Sequence, residues 1–297
     1  MSSVKTLGQR WQSVVLGAAV LMILQTLGLA GSWAQESAEP RLDEEIAKQD
    51  RIYQKQGDEV PRGYITNRGL GHYAELLPSG FCAALGKLDS SDRWLDIGAG
   101  SGQAILDYYT PAEGASCAWP GAKAQAVAMS IENLLTDKWR ELAKSLSGDR
   151  LRYLSGKRLR DYSPKELGKF QIITDVFGGF TFTEDLYQFV DKVLSFLEVG
   201  GSFYTLVPGV RLNDGKEKLG GFYLTQLENA AGRPETVCSW LKKTSCARVT
   251  CESKSDWIRP TELIKIDKVC SAVAVPRMKV VEFVSGYPPD RRFQLEP

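Results

Sequence analysis

Between Arg93 and Val207, five short apolar runs alternate with segments of helical spacing, and this alternation restricts the fold more than any other feature of the chain. "WLDI" reads as a buried strand, and "QAILDYY" opens a helix whose Ile105, Leu106 and Tyr109 face inward. "AQAVAMS" is a second strand, and "ENLLTDKWRELAKSL" a helix with Leu135, Trp139, Leu142 and Leu146 three or four apart. "LRYL" is a third strand. In "SPKEL", Ser163 as N-cap, Pro164 in the first turn and Glu166 three residues on make a helix start. "FQIITDVF" is the fourth strand and "SFYTLV" the fifth. Between them Thr183 is expected to cap "EDLYQFVDKVLSFL", which Gly200 and Gly201 end. This pattern predicts an α/β fold, a doubly wound and mostly parallel sheet with helices on both faces. In such sheets ligands lie beyond the carboxyl ends of the strands, near the point where the strand order reverses.

The flanks read differently. Lys5 and Arg10 precede an apolar run from Val14 to Ala30, and small residues follow at Ser32 and Ala34. This predicts a secretory signal peptide over residues 1–34, cleaved after Ala34. The alternatives are an uncleaved anchor, which alone would bring membrane contact, and a downstream start that omits the leader. With or without cleavage, the leader's positive charges stay inside and the remainder is expected to be exported, periplasmic or secreted. Residues 35–80 are expected to form an N-terminal helical cap, from "RLDEEIAKQDRIYQKQ" and a second helix around His72 to Leu77. Residues 81–297 form the main domain, with a β-rich elaboration from about residue 208. Its expected parts are a helix from Lys216 to Asn229, another after Pro234, and the short strands "ARVTC", "ELIKI" and "KVVEFV".

Six cysteines in an exported chain predict disulfides, at least one of them among Cys238, Cys246, Cys251 and Cys270. No CxxC pair occurs and His72 is the single histidine, so no metal site is expected. A net charge of +1 makes no basic field, and nucleic acid is not an expected partner.

The first strand-to-helix turn contains Gly98, Gly100 and Gly102. The dinucleotide fingerprint needs a glycine where Gln103 stands and a later acid that "CAWPGAKAQ" lacks. A P-loop is excluded because no GKS or GKT follows. The pattern acid-x-Gly-x-Gly-x-Gly is met in full by Asp96, Gly98, Gly100 and Gly102. Here the chain resembles the class I S-adenosylmethionine-dependent methyltransferases, from roughly Gly69 to Val207, about half its length. The resemblance implies the Rossmann-like methyltransferase fold and S-adenosylmethionine as cofactor, held by Asp96, Gly98, Ala99, Gly100, Ser101, Gly102 and Gln103. In that reading Asp96 receives the ligand's amino group and the N–H groups at the start of the next helix favour its carboxylate. Phe177 offers an aromatic face to the sulfonium.

The family's usual acid at the end of the second strand is replaced by Ser130, with Glu132 two residues on. Ser130 offers one hydrogen bond where a carboxylate clamps two hydroxyls. Lys157 stands where a second acid often follows the third strand, and Asp161 is the nearest carboxylate. Asp175, at the end of the fourth strand, is the candidate catalytic base; the competing reading makes it a cap of the "VFGG" turn. His72 is an alternative base or a plain surface residue. "DVFG" does not match the Asn/Asp-Pro-Pro-aromatic signature of amino methylation, and no GxSxG elbow supports a hydrolase. The expectation is methyl transfer to a small-molecule or protein acceptor. The alternatives are an exported, non-catalytic binding module of the same fold and glycines that serve a tight turn alone.

Overall fold

Trp94 to Ile97 are buried on both faces of the sheet, as a central strand covered by helices must be. The computed structural model describes residues 39–54, 65–117, 119, 121, 124–146, 148–208, 225–254, 261–286 and 289–297. The predicted leader and its cleavage site lie outside them. The chain divides into two compact units, residues 1–47 and 48–297. The described part of the first is residues 39–47, the start of helix α1 (Glu39–Gln54). No described helix is long and apolar enough to cross a membrane.

The second unit continues with α2 (Leu70–Leu76), α3 (Phe81–Leu85), β1 (Arg93–Ile97), α4 (Gln103–Tyr109) and β2 (Gln125–Ser130). Next come α5 (Asp137–Ser145), β3 (Leu151–Ser155), a 3-10 turn at Leu159–Asp161, α6 (Pro164–Leu167) and β4 (Phe170–Asp175). Then follow α7 (Gly179–Phe182), α8 (Leu186–Phe196), β5 (Leu197–Pro208), β6 (Thr225–Glu228), β7 (Pro234–Glu235) and α9 (Val237–Leu241). The last strands are β8 (Ala247–Lys254), β9 (Thr261–Lys268), β10 (Met278–Val284) and β11 (Asp290–Leu295).

Seven strands form one sheet in the order β3-β2-β1-β4-β5-β9-β8. The first five are parallel, while β9 and β8 pair antiparallel. Side chains alternate between the faces. Trp94, Ala128, Ile172 and Tyr204 join α2 to α5 on one face. Leu95, Ile97, Met129, Ile173 and Phe203 join α8 and α9 on the other. A second sheet, β10-β11-β6-β7, covers the α8 face, with Leu227, Met278 and Phe293 in the same core. Each such aliphatic or aromatic side chain contributes about 1.5–3 kcal/mol by leaving water. Edge strand β8 is held by Glu252, which accepts the Ser79 N–H at 2.9 Å, and by Lys254, which donates to Glu75 O at 2.8 Å.

Local chemistry accounts for several boundaries. Ser163 and Glu166 form the predicted capping box. The helix expected from Glu132 starts at Asp137, because Thr136 Oγ1 accepts the Trp139 N–H at 3.3 Å. Asp185, not Thr183, caps α8 by accepting the Gln188 N–H at 2.8 Å; Thr183 instead accepts from Asp185 N at 3.1 Å. That helix ends at Phe196, before Gly200, and buried Lys268 donates to Leu194 O and Leu197 O at its end. Of the helix expected over Lys216–Asn229, residues 216–224 lie outside the described residues. Thr225–Glu228 is a strand instead, held by parallel pairing with β11. Three disulfides join all six cysteines: Cys82–Cys117, Cys238–Cys251 and Cys246–Cys270. Two of them fall within the predicted C-terminal set, and all three accord with an oxidising compartment.

Candidate functional site

A cleft of about 250 Å³ opens at the carboxyl edge of the sheet, where the order reverses between β1 and β4. Ile97 and Gly98 end β1 there, Met129, Ser130 and Ile131 end β2, and Lys157 to Arg160 follow β3. Phe177, Gly178 and Gly179 follow β4, and Phe182 to Asp185 with the first turns of α8 complete the wall. Its volume is somewhat below the roughly 300–1,000 Å³ usual for small-molecule sites.

Of the residues that the sequence pointed to, the structure brings Gly98, Ser130 and Phe177 to this cleft. The rest of the glycine turn is filled by the protein itself. A Cβ on Gly100 would stand 2.7 Å from the Thr66 carbonyl carbon and closer still to its oxygen. One on Gly102 would meet the Trp139 ring, 2.8 Å from Cε3. Gly98 abuts Gly178, whose nitrogen would be 3.3 Å from an added Cβ. Three of the turn's N–H groups are committed as well: Ala99 donates to Met129 O at 3.0 Å, Ser101 to Thr66 O at 2.7 Å and Gly102 to Ala99 O at 2.8 Å. Gln103 Nε2 donates to Asp107 Oδ1 at 2.6 Å. Ala99, Gly100, Ser101, Gly102 and Gln103, expected to face a ligand, are not among the residues that line this cleft. These glycines admit a backbone strap at Thr66 and an indole at Trp139.

Asp96 is corrected for a related reason. The alternation that turns Ile97 toward the cleft turns Asp96 to the opposite face, beneath α2. There it is fully buried, accepting from Tyr73 Oη at 2.9 Å and Thr174 Oγ1 at 2.7 Å. Burial pushes its carboxyl up to about 7, against these two hydrogen bonds, and the nearby Asp175 adds to the rise. Burial and the Asp96 charge likewise hold the Tyr73 phenol well above its ordinary range, so it stays a donor.

Asp175 is also fully buried, and of its two readings the structure supports the cap. Oδ1 accepts the Gly178 N–H at 2.9 Å and Oδ2 that of Phe180 at 3.0 Å. Burial raises its carboxyl to about 7, opposed by those N–H groups and by Arg291. With both oxygens committed it is not placed to take a proton from a bound acceptor. His72 is exposed and outside the cleft lining. Phe177 sits at φ 56, and Arg68 lies 4.5 Å over its ring, so a bound sulfonium would share that π face with a guanidinium. Lys157 lines the cleft, whereas Asp161 turns back to accept the Arg158 N–H at 2.8 Å.

Sequence reasoning passed over Thr66, Tyr73 and Gly178, which carry no local signal of their distant partners. It noted Glu132 only as a misplaced acid. Glu132 has a buried Oε1 without a hydrogen-bond partner among the described residues, and burial raises its carboxyl. Glu132 is not among the residues that line the cleft. No group of acids, cysteines and histidines suited to a metal occurs among the described residues.

No family model matches the chain, and no curated protein matches it in sequence. Among solved structures it is similar to YjhP from E. coli, at 16% identity and TM-score 0.33 over 45% of this chain and 51% of that one. It is also similar to a SAM-dependent methyltransferase from Thiobacillus denitrificans, solved with S-adenosyl-L-homocysteine, at 20% identity and TM-score 0.33 over 52% and 58%. A third is precorrin-6y C5,15-methyltransferase from Geobacter metallireducens GS-15, at 14% identity and TM-score 0.39 over 72% and 95%. The chain spans between half and three fifths of the length of the first two. The parallel order β3-β2-β1-β4-β5 with helices on both faces gives the chain the Rossmann-like fold that its resemblance to the class I S-adenosylmethionine-dependent methyltransferases implies.

Proposed function

We propose that the chain binds S-adenosylmethionine in the cleft at the carboxyl ends of β1, β2 and β4 and transfers its methyl group to an acceptor. The observation that carries this reading is the position of the cleft at the reversal of strand order, beside the acid-x-Gly-x-Gly-x-Gly turn. Ser130, Gly98 and Phe177 would hold the cofactor. The cofactor supplies a methyl group already activated on a sulfonium. The protein's share is to place the acceptor in line and to keep water away, with Ile97, Met129, Phe182 and Phe189 as apolar walls. Among the described residues the cleft offers no uncommitted carboxylate. Glu184 pairs with Arg160 and Arg158, and Asp185 caps α8. The acceptor's nucleophile therefore attacks without a protein carboxylate as base, releasing any proton to solvent.

One observation favours the second reading, an exported binding module without turnover. The N–H groups of Ala99, Ser101 and Gly102 and both buried carboxylates are already satisfied internally. Calorimetry with S-adenosylhomocysteine tests the cofactor site on which the first reading depends. Binding at micromolar concentration that is abolished by Ser130→Phe, a cleft-filling change checked for folding by circular dichroism, supports methyl transfer. No heat at millimolar ligand would remove it and leave the binding module. The domain's work outside the cytosol is part of the same proposal, supported by the three disulfides, and mass spectrometry of the mature N-terminus tests it.

A further inference from the structure

Helix α7 is a single turn of four residues, too short to persist by its own hydrogen bonds. Gly179 and Phe182 of this turn, with Thr183 after it, form one wall of the cleft. Two buried charges from different sheets grip its ends. At the start, Asp175 of β4 accepts the N–H groups of Gly178 and Phe180. At the end, Arg291 of β11 donates from Nη2 to Phe180 O and from Nη1 to Thr183 O, each at 2.7 Å. Its Nε donates to Thr225 Oγ1 of β6 at 2.9 Å. Arg291 is 4% exposed and Asp175 0%. Carbonyls at a helix end lack intrahelical partners, and the planar guanidinium serves two of them and a hydroxyl at once.

We infer that Arg291 is a positioning residue for the cleft, through which the C-terminal four-stranded sheet sets the wall formed by residues 178–183. The geometry does not require the occupant to be S-adenosylmethionine; the affinity readout below does rest on that reading. A lysine at 291 has no fork, so it can satisfy part of this set and not all three acceptors. Buried Lys268 provides a matched control. It too is 4% exposed and donates to two carbonyls, at 2.7 and 3.0 Å, but at the far end of α8 and outside the cleft lining.

Native-state hydrogen exchange read by mass spectrometry on the full chain tests the inference without ligand. Arg291→Met should speed exchange in residues 178–184 by about tenfold or more while β1 to β4 stay protected, with Arg291→Lys intermediate. Lys268→Met should lower the melting temperature without speeding exchange in that segment. Where the wild type binds S-adenosylhomocysteine, Arg291→Met should weaken binding by about tenfold or more and Lys268→Met should leave it unchanged. Unchanged exchange at 178–184 in Arg291→Met, or equal acceleration there in Lys268→Met, overturns the inference. If Arg291→Met does not fold, Arg291→Lys and Thr225→Val, which removes the Nε acceptor, carry the same test. A wild type that binds no S-adenosylhomocysteine defeats the proposed function and leaves the exchange result to decide this one.

Discussion

Gly100→Ala distinguishes the two reasons a chain can have for a glycine in this turn. The position has φ +56, and a Cβ there would fall on the Thr66 carbonyl, which accepts the Ser101 N–H at 2.7 Å. The left-handed backbone costs a non-glycine residue roughly 1–2 kcal/mol, offset by about 0.4–1 kcal/mol from the stiffer unfolded chain. Displacing Thr66 also breaks its hydrogen bond, about 1 kcal/mol, and disturbs the contacts of the strap behind it. These contributions total about 1–2.6 kcal/mol before the strap's contacts are counted, or roughly 2–10 °C in melting temperature for a unit of this size. Gly114 is the reference, since its φ is +71 but an added Cβ meets nothing within 4 Å. Gly114→Ala should therefore lose about 0–1.6 kcal/mol, about 1 kcal/mol less than Gly100→Ala. Urea unfolding of both variants without ligand, with disulfides intact, gives the difference directly. Equal stabilities, together with lost affinity for S-adenosylhomocysteine in Gly100→Ala alone, would refute the packing argument and return this glycine to the ligand.

Three further outcomes follow from the same geometry. Asp96 keeps its proton to about pH 7 when folded but loses it near pH 4 when unfolded, so its contribution to stability falls as pH rises between those values, by at most about 1.4 kcal/mol per pH unit, and is flat above. Asp96→Asn, whose amide still reaches the Tyr73 and Thr174 hydroxyls, should make that part of the curve shallower in urea unfolding from pH 4 to 8, with Asp175 keeping a slope of similar size; parallel curves would contradict the burial argument. Replacing Cys82 and Cys117 by serine opens a crosslink between residues 35 apart and should lower stability by about 3–4 kcal/mol with far-ultraviolet dichroism retained. Glu132→Gln, outside the cleft lining and relieved of a carboxylate that burial disfavours, should leave the melting temperature near wild type or slightly higher and the affinity for S-adenosylhomocysteine unchanged; a roughly tenfold loss of calorimetric affinity would place it at the ligand.

The five parallel strands were legible from sequence because strands buried on both faces are short, continuous apolar runs, and "WLDI" and "FQIITDVF" are such runs. The Ser163 box was equally legible, since a cap and its partner lie three residues apart. Thr225–Glu228 was not, because four residues of strand take their identity from pairing with β11 near the other end of the chain. The glycine turn was found by spacing, and the order of the strands placed a cleft beside it.

What the spacing of residues determined was therefore the sheet and the edge at which the cleft opens. What fills each glycine cradle was decided by tertiary structure: Thr66, Trp139 and Gly178 come from segments far away along the chain. The same holds for Asp96 and Asp175. Sequence shows a carboxylate at the end of a strand, but which face it occupies and which donors consume it depend on neighbours brought there by folding. Local hydrogen bonds and side-chain periodicity act over a few residues and can be read in order, whereas burial and close approach are properties of segments that meet only in space.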